Sequence, residues 1–308
     1  LGIPVPPIFV FQRESGVWEL IDGLQRISTV LQLTGDLLDT DGNPYEPLQL
    51  GGTNLLPALS GMKWRAEEDN DSDALTPSLQ LELKRARIRV EILRKESDEE
   101  AKFELFQRLN TGGSKLSEQE VRNSVLIMLN QKFFNWMQEL SENADFVKSV
   151  QLTSAQQSQQ QALEMVLRFI AYRRHPYIRG LDVNEYLDIA ARHLATLPDV
   201  DLVQEKELFE WTFATLVEYV GPDVFKKWDG VKHTGKFLIS AFDPIIYGVS
   251  CNRAAIDAMD VVPRRDWLST KVRTMWTTGE FLINSGQGVR GTTRLTHLLP
   301  FGLAHFAP

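Results

Sequence analysis

The chain has 308 residues, 43% of them hydrophobic and 24% charged, with a single cysteine, Cys251. This is ordinary globular composition, long enough for one large domain or two. One thiol excludes an intrachain disulfide and a cysteine-built zinc centre, and it fits a reducing cytoplasm. The 33 Lys and Arg against 41 Asp and Glu give a formal charge of −8, which excludes broad, non-specific gripping of a nucleic-acid backbone but leaves room for a local basic groove.

No apolar run approaches membrane-spanning length, and no signal-peptide pattern is present. The start at Leu1 rather than Met leads us to expect an upstream segment. IFVF (8–11) and WELI (18–21) are short apolar runs separated by RESG, the pattern of two strands and a turn. From Gln25 onward Ile27, Val30, Leu31 and Thr34 recur at helical spacing, and Gly35 stops the helix. Residues 36–77 are rich in Gly, Pro, Asp and Asn and read as loops, with a strand near Leu48–Leu50. RARIRVEIL predicts a further strand, with Arg85, Arg87 and Arg89 on one face and Ala86, Ile88 and Val90 on the other. Such a face is ordinarily solvated, and it is also a candidate lining for a polyanion groove.

Two helix starts share one chemistry. Ser97 with Glu100, and Ser117 with Glu120, have the spacing of a capping box. Between them lies NTGGSK (110–115), whose adjacent glycines can form a nest of N–H groups for an anion or serve as a plain helix C-cap. Beyond about Arg122 the pattern is helical: VLIMLNQKFFNWMQEL, QQALEMVLRFIAYRR, VNEYLDIAARHL and KELFEWTFATLVEYV are all amphipathic. TSAQQSQQQ reads as a helix start or loop. The expected organisation is therefore α+β: a small α/β domain over residues 1–125 and a helical domain over 126–308.

One corner carries chemistry. In WELIDGLQRISTVLQL (18–33) a strand feeds directly into a helix, whose first N–H groups and dipole make a natural anion site. Gly23 permits a sharp turn and close approach of a ligand to the backbone. Arg26 sets a guanidinium in the first turn, able to give two parallel hydrogen bonds to a phosphate. A cation there disfavours the helix by roughly 0.3–1 kcal/mol, which calls for a compensating anion. Spacing alone leaves two readings open: a bound phosphate, or Asp22 capping the helix with Arg26 paired back to it.

Together, GIPVPPIFVF, WELIDGLQRISTVLQL and FELFQRLNTGGSKLSEQEVRNS resemble the N-terminal domain of GmrSD-type modification-dependent restriction enzymes, over about residues 1–125. The resemblance rests on the family's Asp-Gly-Gln-Gln-Arg hallmark and its later Asn-Thr-x-Gly segment. Asp22, Gly23, Gln25 and Arg26 fall on the first, and Asn110, Thr111 and Gly113 on the second. It implies a small mixed sheet of the ParB/sulfiredoxin kind followed by a helical region, and a nucleoside triphosphate site, with Mg²⁺, at the Asp-Gly-x-Gln-Arg turn. It further implies that nucleotide controls cleavage of modified phage DNA by a separate HNH-type nuclease domain or subunit. Leu24 stands where the family has its first glutamine, which bears on turnover more than on binding. The family's basic-aromatic segment upstream of GIPVPPI has no counterpart in these residues.

The resulting expectation is an NTP-binding and NTP-hydrolysing regulatory component of an anti-phage restriction system. Asp22 and Arg26 would be catalytic, Asp22 orienting Arg26 or holding a Mg²⁺-bound water. Gly23, Gln25, Asn110, Thr111, Gly112 and Gly113 would hold the nucleotide. Two rivals stand beside it: a DNA-reading module without hydrolysis, tracking the duplex with Arg85, Arg87 and Arg89, and a scaffold for a partner nuclease. HLLP (297–300) matches the His-x-x-Pro element of HNH nucleases, but the eight residues after Pro300 leave no room for the rest of that site. His175, His193, His233 and His305 show no ligand spacing, so no metal set of the protein's own is expected.

Overall fold

The structure, a computed structural model, describes residues 7–12, 15–39, 41–53, 55–65, 73–93, 117–286 and 288–308, with the side chains of Glu19, Ile21, Asp22 and Leu93 outside that description. The chain divides into two compact units, Leu1–Leu109 and Asn110–Pro308.

In the first unit, β1 (Ile8–Gln12) pairs antiparallel with β2 (Trp18–Asp22) and parallel with β3 (Val90–Leu93), giving a mixed sheet of order β2-β1-β3. Alternation along β1 buries Ile8 and Val10 on one face. Helix α1 (Leu24–Thr34) ends at Gly35, whose φ of 83° places it in the left-handed region. There the Asp36 N–H turns back to the Leu31 carbonyl at 2.8 Å. The residue of α1 that is buried is Leu33, against Trp64 and Leu75, whereas Val30, expected on the inner face, is 48% exposed. Ile27, Leu31 and Thr34, the other residues of that spacing, are half-buried.

Two expectations are corrected here. Leu50 and the Gly61–Met62 turn exchange backbone bonds of 2.8 and 2.7 Å, but no strand forms near Leu48–Leu50. Arg85 does not begin a strand. It ends helix α2 (Pro77–Arg85), which Thr76 caps by accepting from the Leu79 N–H, with Pro77 at the first helical position. The β-ladder starts only at Val90, where an apolar β-branched side chain meets β1.

The second unit is helical: α3 (Glu118–Ser141), α4 (Ala144–Ser149), α5 (Ser154–Ser158), α6 (Gln161–Arg174), α7 (Val183–Leu194), α8 (Asp199–Tyr219), α9 (Ile239–Cys251), α10 (Arg253–Asp257), α11 (Val261–Met275), α12 (Gly279–Ser285) and α13 (Gly291–His305), with a small hairpin of β4 (Lys227–Trp228) and β5 (His233–Thr234) before α9. The expected Ser117 capping box forms, with Glu120 N–H to Ser117 Oγ at 3.2 Å and Ser117 N–H to Glu120 Oε2 at 2.7 Å. The glutamine-rich run supplies a second box, Thr153 with Gln156, at the start of α5. Helix α3 kinks at Asn130, whose Oδ1 caps the resuming helix at Phe133 N–H (3.0 Å) while Nδ2 donates to the Ala195 carbonyl (2.8 Å).

Phe146, Phe169, Phe209 and Phe213 form an aromatic centre, with Phe209 and Phe213 centroids 4.5 Å apart. Beside it lie ion pairs that join distant helices. Arg168 on α6 reaches Asp243 on α9 at 3.3 Å, and Arg122 on α3 reaches Asp188 on α7 at 2.8 Å. No described helix is long and apolar enough to cross a membrane.

Candidate functional site

The corner between β2 and α1 is built by a change of register. Phe9 pairs with Asp22 but Val10 pairs with Leu20, so Ile21 is an extra residue in β2. Such a bulge bends the strand and re-aims the residues that come after it. Gly23 then takes φ 102°, ψ 12° as the N-cap of α1, a conformation L side chains rarely adopt. Space demands glycine as well, since a Cβ there would lie 2.5 Å from Ile8 Cγ2. The N-cap is thus the glycine rather than Asp22, a cap without a side-chain oxygen.

The first rung of the helix is the Ile27 N–H to the Gly23 carbonyl at 2.9 Å. The amides of Leu24, Gln25 and Arg26 therefore precede the helical ladder, and the first turn carries no acidic residue to meet the dipole. Arg26 does not project freely. Its Nη1 donates to the Pro7 carbonyl at 2.9 Å, across 19 residues of sequence, and Nη2 runs 3.4 Å from where a Gly23 Cβ would stand. The guanidinium lies folded over the glycine, tied to the start of β1. Gln25 and Leu24 are exposed, Leu24 at 68%. Thr29 Oγ1 donates to the Gln25 carbonyl at 2.6 Å.

The structure thus brings Gly23, Gln25 and Arg26 to one turn. The roles expected of the Asp22 carboxylate lie outside the described side chains, and Asn110, Thr111, Gly112 and Gly113 lie outside the described residues. The three arginines do not share a strand face: Arg85 is helical, Arg87 and Arg89 precede β3, and all three are exposed. Arg89 pairs with Glu91 at 2.7 Å in a solvated contact, so part of the expected cationic face is neutralised locally. Reading the sequence missed the Pro7 carbonyl and the Ile8 side chain as parts of the corner. Pro7, just before an apolar strand, was the available signal, since proline fixes its own φ.

Elsewhere the histidines serve structure. His305 Nε2 meets the Lys271 carbonyl at 2.7 Å and its ring stacks on Phe301. His175 and His193 face one another at 5.3 Å, and burial together with His193 holds His175 below its usual range. His297 and Pro300 sit within α13. Among the described residues no group of three His, Cys, Asp or Glu could hold a metal ion.

Residues 1–127 match the family model described as the N-terminal domain of the GmrSD restriction endonuclease. No curated protein and no solved structure matches the chain.

Proposed function

Because residues 1–127 carry the N-terminal domain of a GmrSD-type restriction enzyme, we propose that the chain is a nucleotide-binding component of a restriction system directed at phage DNA. A nucleoside triphosphate sits at the Asp22–Arg26 corner. The observation that carries this reading is the combination of a left-handed glycine, three amides ahead of the helical ladder and an arginine tied across the same turn. Backbone N–H groups receive the phosphates, and Arg26 balances the charge that develops as the terminal phosphoryl leaves. Catalysis of that type is largely positioning and electrostatics. Mg²⁺ would arrive with the nucleotide, as the residue set here offers backbone donors and a guanidinium rather than a metal cage. Asp22, through its carboxylate, would orient Arg26 or hold a Mg²⁺-bound water. The small mixed sheet supports a relationship to the ParB/sulfiredoxin kind, and cleavage belongs to an HNH-type domain or partner.

Titration of the purified chain with each of the four common triphosphates and Mg²⁺ tests this. Arg26→Ala is expected to weaken binding about 10- to 100-fold, the worth of one charge-assisted hydrogen bond. The lost charge-assisted bond to Pro7 should reduce stability by about 1.5–3 kcal/mol. Unaltered affinity in that variant would remove the site. Leu24 lies at the same turn, exposed and without a polar atom. Leu24→Gln, which restores the family's hallmark, is expected to raise phosphate release several-fold with little change in affinity. An unchanged rate would mean that Leu24 does not limit turnover.

A further inference from the structure

Besides the cationic run Lys84–Arg89, this acidic chain carries a second cluster of positive charge, in its helical unit. Residues 226–236, KKWDGVKHTGK, carry four lysines against one aspartate in a chain of formal charge −8. They form the β4–β5 hairpin, in which Lys227 pairs with Thr234 and Trp228 with His233. Alternation puts Lys227 and Thr234 on one face and Trp228 and His233 on the other. Lys232 and Lys236 flank Thr234 at two-residue spacing, and all three lysines are exposed.

The hairpin is stiff. Asp229 Oδ1 accepts the Val231 and Lys232 amides, both at 2.8 Å, and the Asp229 N–H returns to the Lys232 carbonyl at 3.1 Å. Those amides hold the Asp229 carboxyl below its usual range, so the one acid of the hairpin is occupied in making its turn. Asp223 is taken by Lys226 at 2.7 Å. Among the described residues no carboxylate forms an ion pair with Lys227, Lys232 or Lys236. On the opposite face Trp228 receives the Arg273 guanidinium 4.9 Å from its ring centroid and packs against His233 at 5.0 Å. His233 Nδ1 meets the Lys226 carbonyl at 3.0 Å. That face anchors the hairpin to the helical unit and adds a further exposed cation beside it. At the tip Val231 is 83% exposed, a bare apolar side chain between charges.

We infer that this hairpin is a contact surface for duplex DNA, with Lys227, Lys232 and Lys236 on backbone phosphates and Val231 at a base edge. The inference rests on the reading of the chain as part of a DNA-directed restriction system, and it moves the nucleic-acid surface from the Arg85–Arg89 segment to the helical unit. A two-stranded ribbon is narrow enough to enter the major groove. Lysines act there as compact point charges that need no planar fork. An apolar tip has a partner in the thymine methyl. A net negative chain that must approach DNA needs such a localised patch, because its overall field repels the polymer.

The test is fluorescence anisotropy of the full chain with a fluorescein-labelled duplex of about 20 base pairs, between roughly 50 and 200 mM salt. Wild type should bind with a steep salt dependence. The triple variant Lys227→Ala, Lys232→Ala, Lys236→Ala should lose at least tenfold in affinity at the low-salt end. Its log–log salt slope should fall by about 0.9 for each phosphate contact removed. Nucleotide titration of the same variant should be unchanged. Loss of DNA binding in the triple variant together with absent nucleotide binding in wild type would uphold the hairpin and remove the nucleotide site. Three results would overturn the hairpin: no duplex binding by wild type, an unaltered affinity and slope in the triple variant, or equal displacement of the duplex by poly-glutamate at matched charge, which would mark an acidic polypeptide as the partner.

Discussion

Gly302→Ala is expected to destabilise the helical unit by about 3 kcal/mol, the upper end of what overpacking costs. A Cβ at Gly302 on α13 would stand 2.2 Å from the Pro244 carbonyl oxygen and 2.8 Å from the Pro244 Cα on α9. Those are backbone atoms, so no rotamer change can relieve the clash. The approach is reciprocal, because a Cβ at Gly248 would stand 2.2 Å from the Gly302 carbonyl oxygen. Two glycines therefore let α9 and α13 meet backbone to backbone. Asn252 stitches the pair, with Nδ2 donating to the Gly248 carbonyl at 2.8 Å and the Leu303 carbonyl at 3.0 Å. Inserting a methyl requires the helices to separate, which opens gaps beside Phe242, Phe301 and Phe306, all buried. For a unit of this size the melting temperature should fall by about 6–12 °C. A loss below about 1 kcal/mol in urea denaturation would show that the helices yield easily and that the glycines are incidental.

The second large effect lies in the buried ion network. Asp243 is 2% exposed. Its Oδ1 accepts the Tyr172 hydroxyl at 2.9 Å and its Oδ2 the Arg168 Nη1 at 3.3 Å. Arg168 also donates to the Tyr172 oxygen at 2.8 Å and from Nε to Glu164 at 2.9 Å. Burial pushes the Asp243 carboxyl up, against the pull of Arg168 and the Tyr172 hydrogen bond. Asp243→Ala leaves the guanidinium in a dry interior with one carboxylate fewer, which costs about 3–5 kcal/mol. The pair is not thereby a source of net stability. Replacing the whole network, Asp243→Leu, Arg168→Met, Tyr172→Phe and Glu164→Gln, should cost clearly less than Asp243→Ala alone, because the desolvated charges and the buried hydroxyl disappear together. Chemical denaturation of the two variants decides the matter. A network replacement at least as costly as the single one would mean that the network contributes net stability.

Much of the architecture was legible because it is written in local rules. Helix α7 spans the residues its apolar spacing marks, Val183–Leu194, since Asp182 accepts from the Asn184 N–H and shares a capping box with Glu185. Gly35 ends α1 and Ser117 begins α3 for the same kind of reason. Helix α2 was legible in principle, through Thr76 and Pro77, yet the alternating arginines of RARIRVEIL outweighed those signals. A period of two says nothing until a neighbouring strand arrives, and β1 reaches only to Arg89, whose carbonyl accepts the Ile8 N–H at 2.9 Å. Of the corner, glycine and arginine could be chosen from sequence. That Arg26 would bind the Pro7 carbonyl could not.

By itself the sequence determined several element ends, at Gly35, Ser117 and Asp182 among them, because caps, left-handed glycines and i to i+4 spacing act within one turn of chain. It also determined that a strand would run into a helix at Asp22-Gly23, since those residues permit that bend. The tertiary structure decided which side of α1 is buried, which carbonyl holds Arg26, which acid meets Arg168 and how closely α9 and α13 approach. Each of those depends on atoms brought together from positions 19 to 75 residues apart. Burial direction and long-range pairing are set by what packs against an element, and that partner is absent from the element's own sequence.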